Sequence, residues 1–352
     1  MPARAAPAAH APRLALLGTG TVGRAFVARY QALQQRRAGL PAFAWLANSR
    51  TRQACLAVPA HALDAANAAP RGTQAQALEP DDLRRGDVLV DATASDAVAQ
   101  RHAQWLARGV HVVTANKLGR GAALARAQQI EAARHAGATH YGDSATVGAG
   151  LPLLSSLRAL VAGGDRIHAV EGVLSGSLAW LFHRYDGARA FSDCVREAAA
   201  AGYTEPDPRE DLSGEDVRRK LLILARAAGL PLSAEQVQVD SLLPAALAAA
   251  APAGVDAALS TLDAPLAARL AQARGNGACL RFVGRFDADG ASVALRELPL
   301  GHPLASGAGT DNRVALHSDR YLRQPLLIQG PGAGAEVTAA ALLDDVLRIA
   351  AD

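Results

Sequence analysis

The sequence predicts an α/β protein in which a Rossmann-type, doubly wound parallel sheet is followed by a second, α+β domain. Three observations carry this. Short apolar runs (Arg13–Leu17, 87–91 and 111–114) alternate with amphipathic stretches at the spacing of β–α–β units. The first run leads into Gly18-Thr19-Gly20-Thr21-Val22-Gly23, a G-x-G-x-x-G turn between a strand and a helix. After about Gly150 the alternation gives way to helices, a proline-stiffened acidic loop and a hairpin, so the chain changes domain there.

In chain order, residues 13–17 read as a buried strand that stops at glycine. Residues 22–37 read as a helix, with Val22, Phe26, Tyr30 and Leu33 at helical spacing. Residues 43–47 are a second strand, and 60–76 are Ala-rich and fit no period. Strand 87–91, helix 96–108, strand 111–114 and a helix through Ala136 complete the first domain. The second begins with an apolar helix at 151–161 and a strand at 166–174. Helices at 192–201 and 215–228 flank the acidic loop, and 245–254 is helix or linker. Residues 280–300 form a hairpin turning at Asp287-Ala288-Asp289-Gly290, followed by a strand at 325–328 and a helix from Val337. The resulting partition is a disordered tail at 1–12, a dinucleotide domain at 13–145, a substrate domain at 146–320, and a segment at 321–352 that packs back on the first domain.

With 352 residues, 50% hydrophobic and 20% charged, the chain is long enough for two packed domains. A formal net charge of only +3, with basic and acidic residues interspersed, argues against a nucleic-acid surface. No apolar run approaches the roughly 20 residues that span a bilayer, and the Ala/Pro-rich start has no stretch resembling a signal peptide. Cys55, Cys194 and Cys279, odd in number and widely spaced, fit a reducing cytoplasm better than a disulfide framework or a zinc motif.

The glycines of the turn imply a cofactor. Gly18 permits the tight turn, Gly20 lets backbone approach a pyrophosphate, and Gly23 lets helix pack on strand, with Thr19 and Val22 between them. An acidic residue at the end of the second strand would bind a ribose 2′-hydroxyl. This chain instead has Asn48-Ser49-Arg50-Thr51-Arg52, an amide, hydroxyls and guanidinium groups suited to a 2′-phosphate. NADP(H) is therefore predicted over NAD(H), which stays possible; the alternative is that Arg50 and Arg52 are solvated residues at a helix start. Thr93 and Ser95 follow a buried strand at its carboxyl end, where they line the nicotinamide or simply cap the next helix.

Thr114-Ala115-Asn116-Lys117 ends another buried strand, where Lys117 either points into the cleft or is a solvated surface group, and Asn116 is a cofactor contact. Residues 202–220, GYTEPDPREDLSGEDVRRK, hold a dense set of carboxylates between two prolines that fix φ. Asp216 and Lys220, four apart, share a helix face. From spacing alone this is either a surface ion pair beside a solvated loop, or a rigid acidic pocket for a substrate ammonium with a lysine as proton donor.

Residues 146–152 (TVGAGLP), 172–177 (GVLSGS), 114–117 and 330–334 (GPGAG), together with the long 202–220 segment, resemble homoserine dehydrogenase, in particular the dehydrogenase half of bifunctional aspartate kinase–homoserine dehydrogenases. The resemblance runs from about Leu14 to the C-terminus. It implies reversible NAD(P)H-dependent conversion of L-aspartate 4-semialdehyde to L-homoserine, a step towards threonine and methionine. It also implies a homodimer, with the second domain serving both substrate binding and dimerisation. It makes Lys220 the proton donor and Lys117 a second lysine at the reacting oxygen. Glu205 and Asp216 become substrate ligands, with Asp211 and Tyr203 beside them. By its own sequence, the segment ending at Gly334 either brings the N-terminus of the last helix towards the cofactor or is only a tight helix entry. Members of the family bind a structural sodium ion through backbone carbonyls, at positions that match Ser144, Val147, Ala149 and Leu151. The family usually carries an acidic residue where Ser144 stands, although Asp143 is adjacent here; the alternative is a Gly-rich connector with no ion.

Two rival readings remain open on the sequence. An acylating semialdehyde dehydrogenase needs a thiolate nucleophile, and none of the three cysteines is flanked by a recognisable base. A dinucleotide-sensing regulator would keep the fold without the chemistry, which the retention of both Lys117 and Lys220 disfavours.

Overall fold

The computed structural model describes residues 11–70 and 82–351. Most of the expected N-terminal tail and the end of the Ala-rich stretch at 60–76 lie outside the described residues. The chain forms two compact units. One holds the described residues of Met1–Gly119 with Ala125–Thr146 and the final helix; the other holds Arg120–Leu124 and Val147–Gly334. No helix among the described residues is long and apolar enough to cross a membrane.

The first unit contains β1 (Arg13–Leu17), α1 (Thr21–Gln34), β2 (Ala42–Ala47), β3 (Arg52–Ala54), α2 (Pro59–Ala68), β4 (Val88–Asp91), α3 (Asp96–Ala99), α4 (His102–Ala107), β5 (His111–Thr114), α5 (Leu124–Gly137) and β6 (Tyr141–Gly142). The strands lie in the order β3-β2-β1-β4-β5-β6. All pairs are parallel except β2–β3. Alternate residues of one strand serve two cores. Leu14 and Leu16 pack with Phe26, Val90 and Val113 on one face, while Ala15 and Leu17 pack with Trp45, Leu89 and Trp105 on the other. Burial on both faces is why these strands read as unbroken apolar runs. Because β1 pairs with both β2 and β4, the topological switch point lies at their carboxyl ends, where open α/β sheets bind ligand.

Sequence and structure differ here in two places. The single helix expected at 96–108 is two, α3 and α4, and the break falls just before His102, whose buried ring bonds to Asp91. Arg50 and Arg52 do not begin a helix. Arg52 opens the antiparallel strand β3, with its guanidinium 4.7 Å over the Trp45 ring and paired with Asp82.

The second unit contains α6 (Leu153–Ala162), β7 (Ile167–Val173), α7 (Gly176–Arg184), α8 (Phe191–Ala200), α9 (Pro208–Leu212), α10 (Glu215–Ala227), β8 (Val237–Val239), α11 (Ala245–Ala248), α12 (Val255–Ala258), α13 (Asp263–Gly275), β9 (Ala278–Asp287), β10 (Gly290–Pro299), β11 (Asp311–Ser318) and β12 (Leu326–Pro331). Its sheet runs β12-β11-β7-β9-β10-β8. β9 and β10 form the expected hairpin. Leu157, Leu181, Phe191, Leu221 and Leu224 of the helices pack against Val170, Phe282, Phe286 and Val314 of the sheet. The chain then returns to the first unit as α14 (Ala335–Ile349), which packs on α1 through Leu342, Leu343 and Val346.

Candidate active site

Two of the three glycines of the turn are required by the fold, each for a different physical reason. At Gly18 the backbone has φ +99°, and a Cβ would lie 2.7 Å from the Ala92 carbonyl oxygen across the switch point. At Gly23, inside α1, a Cβ would lie 2.0 Å from the Gly18 oxygen, so only glycine lets the helix sit this close to β1. Around Gly20 a Cβ meets nothing within 4 Å. No packing in this unit demands a glycine there, and the space above its backbone is open.

Beside this turn, three side chains interlock. Thr19 is buried; its hydroxyl donates to Asn67 Oδ1 at 2.7 Å and accepts from Asn48 Nδ2 at 3.0 Å. Asn48 also donates to the Ala66 carbonyl at 2.8 Å and accepts the main-chain N–H groups of Arg50 and Thr51. These roles need an amide, because a carboxylate has no N–H to give. The Arg50 guanidinium donates to the carbonyls of Asn67 and Ala69, and Ser49 is exposed between them. Asn67 is a partner that the sequence did not single out, since it lies in the Ala-rich stretch of α2.

At the ends of β4 and β5, Thr93 donates through its hydroxyl and its main-chain N–H to Asp91 Oδ1, at 2.7 and 2.9 Å. Ser95 caps α3 by accepting from the Val98 N–H at 3.4 Å. Asn116, almost fully buried, donates to the Ser95 carbonyl at 2.8 Å and accepts from the Leu118 N–H. The structure thus joins Thr93, Ser95 and Asn116, with the half-buried Lys117 next in the chain.

In the second unit the acidic segment is not one loop. Tyr203 and Gly202, the latter at φ +72°, close α8 by donating to Ala198 and Ala199. Asp207 then caps the short helix α9, accepting from the Arg209 N–H, with Pro208 at its first position. This corrects the expectation of irregular chain between the two longer helices. Lys220 lies in α10 with 7% of its surface exposed. Its Nζ donates to the Leu174 carbonyl at 2.7 Å and pairs with Asp216 at 2.8 Å. Asp211 accepts from Ser177 Oγ at 2.6 Å and from the Glu205 N–H at 2.8 Å, and burial pushes its carboxyl above the usual range. The Glu205 side chain is exposed beside it, and Tyr203 lies against Trp180 with ring centroids 5.5 Å apart. Lys220, Asp216 and Asp211 therefore form one cluster, to which Glu205 is attached through its main-chain N–H. Ser177 and the Leu174 carbonyl join it; the sequence had noted their motif without giving either a role.

Ser144 is tied to the final helix: its N–H and hydroxyl donate to the buried Asp345 carboxylate at 3.0 and 2.9 Å. In the second unit Val147 is followed by Gly148 and Ala149, both with positive φ (+72° and +50°), and the Leu151 N–H donates back to Gly148. Gly334 has φ +128° and directly precedes α14. Among the described residues there is no group of three or more His, Cys, Asp or Glu side chains able to hold a metal. Nor do the thiols look activated: burial pushes Cys55 and Cys194 up, and Cys279 points to the Ala305 carbonyl.

Comparison with known proteins covers residues of both units. Residues 152–347 match the family model described as homoserine dehydrogenase, and residues 18–142 match that of the homoserine dehydrogenase NAD binding domain. The chain is 46% identical over 266 residues to a chloroplastic bifunctional aspartokinase/homoserine dehydrogenase 2 of Zea mays, a match covering 75% of this chain and 29% of that protein. It therefore spans less than a third of the length of such bifunctional relatives. A homoserine dehydrogenase of Emericella nidulans is 35% identical, with 96% of this chain and 97% of that protein covered. A crystal structure of a Candida auris protein of unknown function superposes with a TM-score of 0.86 at 35% identity, covering 97% of this chain and 98% of that one.

Proposed function

The chain belongs to the homoserine dehydrogenase family, and on that premise we propose that it interconverts L-homoserine and L-aspartate 4-semialdehyde with a nicotinamide cofactor. The observation that carries the reading is the buried Lys220 ammonium between the Leu174 carbonyl and Asp216. An ammonium has three N–H donors; two are held by these partners, and the third serves the substrate oxygen. When bound, the cofactor supplies or takes the hydride. Lys220 stabilises and protonates the oxygen on which negative charge develops, with Lys117 as the second lysine. Glu205 and Asp216 bind substrate, and Asp211, whose oxygens are taken by Ser177 and Glu205, holds that segment in shape. Gly18, Thr19, Gly20, Val22 and Gly23 receive the dinucleotide, with Thr93, Ser95, Asn116 and Gly334 as further contacts.

The test is homoserine oxidation followed at the reduced-cofactor absorbance band, run with each cofactor. Cofactor binding without turnover would favour the sensor reading instead. Glu205→Ala is expected to raise KM for homoserine about tenfold with kcat little changed, the loss of one charged contact. An unchanged KM removes Glu205 from the substrate site.

We further propose that NADP(H) is preferred, with Asn48, Ser49 and Arg50 receiving the 2′-phosphate. Support comes from an uncharged amide, not a phosphate-repelling carboxylate, at Asn48, and from the Arg50 guanidinium held at the end of α2. Arg50→Ala should then lower the NADP+/NAD+ ratio of kcat/KM about tenfold, the worth of a charge-assisted contact. An unaltered ratio in steady-state kinetics overturns the assignment. A structural sodium ion on the main-chain oxygens of Ser144, Val147, Ala149 and Leu151 fits a segment in which the Ser144 hydroxyl is already committed to Asp345. A homodimer formed through the second unit and a cytoplasmic location complete the reading. Light scattering checks the first, and the free cysteines support the second.

A further inference from the structure

We propose that His102 is a positioning residue for the cofactor side of the site, acting through Asp91 on the loops that carry Thr93 and Asn116. The inference rests on the reading above that these loops contact the dinucleotide. Asp91, His102, Thr114 and Asn116 are buried almost completely, and Tyr141 nearly so. His102 Nε2 lies 2.9 Å from Asp91 Oδ2, and Nδ1 lies 2.9 Å from the Tyr141 hydroxyl. A carboxylate accepts, so His102 Nε2 donates to Asp91 and Nδ1 pairs with the Tyr141 hydroxyl. The other carboxylate oxygen takes both donors of Thr93, and Thr114 Oγ1 reaches Oδ2 at 3.4 Å.

Removing a donor from a buried carboxylate leaves it undersatisfied, and the remaining groups must shift to compensate. Here those groups are functional. Thr93 Oγ1 accepts the Ser95 N–H at 3.2 Å and is reached by the Asn116 amide at 3.5 Å, while Thr114 Oγ1 accepts the Asn116 N–H at 2.9 Å. One carboxylate therefore sets both loops, and the imidazole sets the carboxylate. The network also abuts the segment after Lys117: a Cβ on Gly119 would lie 2.2 Å from the Tyr141 hydroxyl and 3.2 Å from His102 Nδ1. The break between α3 and α4 falls directly before His102.

The experiment measures equilibrium binding of NADPH and NADH by their own fluorescence, with thermal unfolding recorded on the same samples. His102→Ala should weaken binding of the favoured cofactor about tenfold, the worth of a hydrogen bond to a charged group. His102→Gln places an amide donor near Nε2 and should recover most of that loss. Binding within about twofold of the parent in His102→Ala overturns the proposal, as does an equal loss in both variants. Should His102→Ala fail to fold, Tyr141→Phe decides, because it removes only a hydroxyl: weaker cofactor binding at an unchanged melting temperature supports the network, and unchanged binding refutes it. Failure of the functional reading looks different, since the parent would then bind reduced cofactor and not oxidise homoserine.

Discussion

Lys220→Ala is expected to lower kcat for homoserine oxidation by about 10²–10⁴-fold, the usual contribution of a positioned acid or base. Binding of the reduced cofactor should change little, because the residues assigned to the dinucleotide lie on other elements. The fold should survive. Asp216 keeps a side chain 39% exposed to solvent, so its charge is not stranded when the ammonium goes. Lys220→Arg separates the two tasks assigned to the lysine. A guanidinium keeps the positive charge but does not release a proton near neutral pH, and its planar fork does not reproduce the donor directions of an ammonium. That variant should stay well below the parent. Near-normal turnover in Lys220→Ala removes the proton-donor role altogether; near-normal turnover in Lys220→Arg reduces it to charge stabilisation.

What could be read from the sequence follows what local patterns encode. Strands buried on both faces announced themselves as apolar runs, and β1, β4 and β5 stand within a residue of their expected bounds. The β9–β10 hairpin was legible from its turn residues. Elements lacking such punctuation were not. α7 opens on Gly-Ser and carries no helix-start signal strong enough to read, although Leu178, Leu181 and Phe182 bury one face. α13 and β11 carry no clear period, the first being Ala-rich and weakly amphipathic, the second opening on three consecutive polar residues, Asp311, Asn312 and Arg313. In the candidate site the charged residues stood out because their types and spacing are unusual. Their neutral partners did not. Asn67, Ser177, the Leu174 carbonyl and the Asp91–His102–Tyr141 network depend on contacts between residues far apart in the chain, and one sequence alone does not supply those.

Gly20 and Gly23 offer the sharpest separation between a glycine needed for binding and one needed for packing. Gly20 has φ −75°, a value any residue adopts, and its Cβ direction is open. Gly20→Ala should therefore leave the melting temperature unchanged or slightly raised, since alanine narrows the unfolded ensemble by about 0.4–1 kcal/mol. On the proposed assignment of the turn to the dinucleotide, the added methyl occupies the space where backbone and pyrophosphate meet. Cofactor affinity should fall about tenfold or more, as the main-chain donors of the turn lose their reach. Gly23→Ala acts by another route. Its methyl falls 2.0 Å from the Gly18 oxygen, so α1 must move off β1. Overpacking of this kind costs about 1–3 kcal/mol, sometimes more. The same shift disturbs the contact of α1 with α14 and the shape of the turn. Thermal unfolding should show a clear drop for Gly23→Ala alone, while NADPH titration should show weaker binding for both. If Gly20→Ala binds the cofactor as tightly as the parent, the pyrophosphate does not approach there, and the turn serves only to join strand and helix.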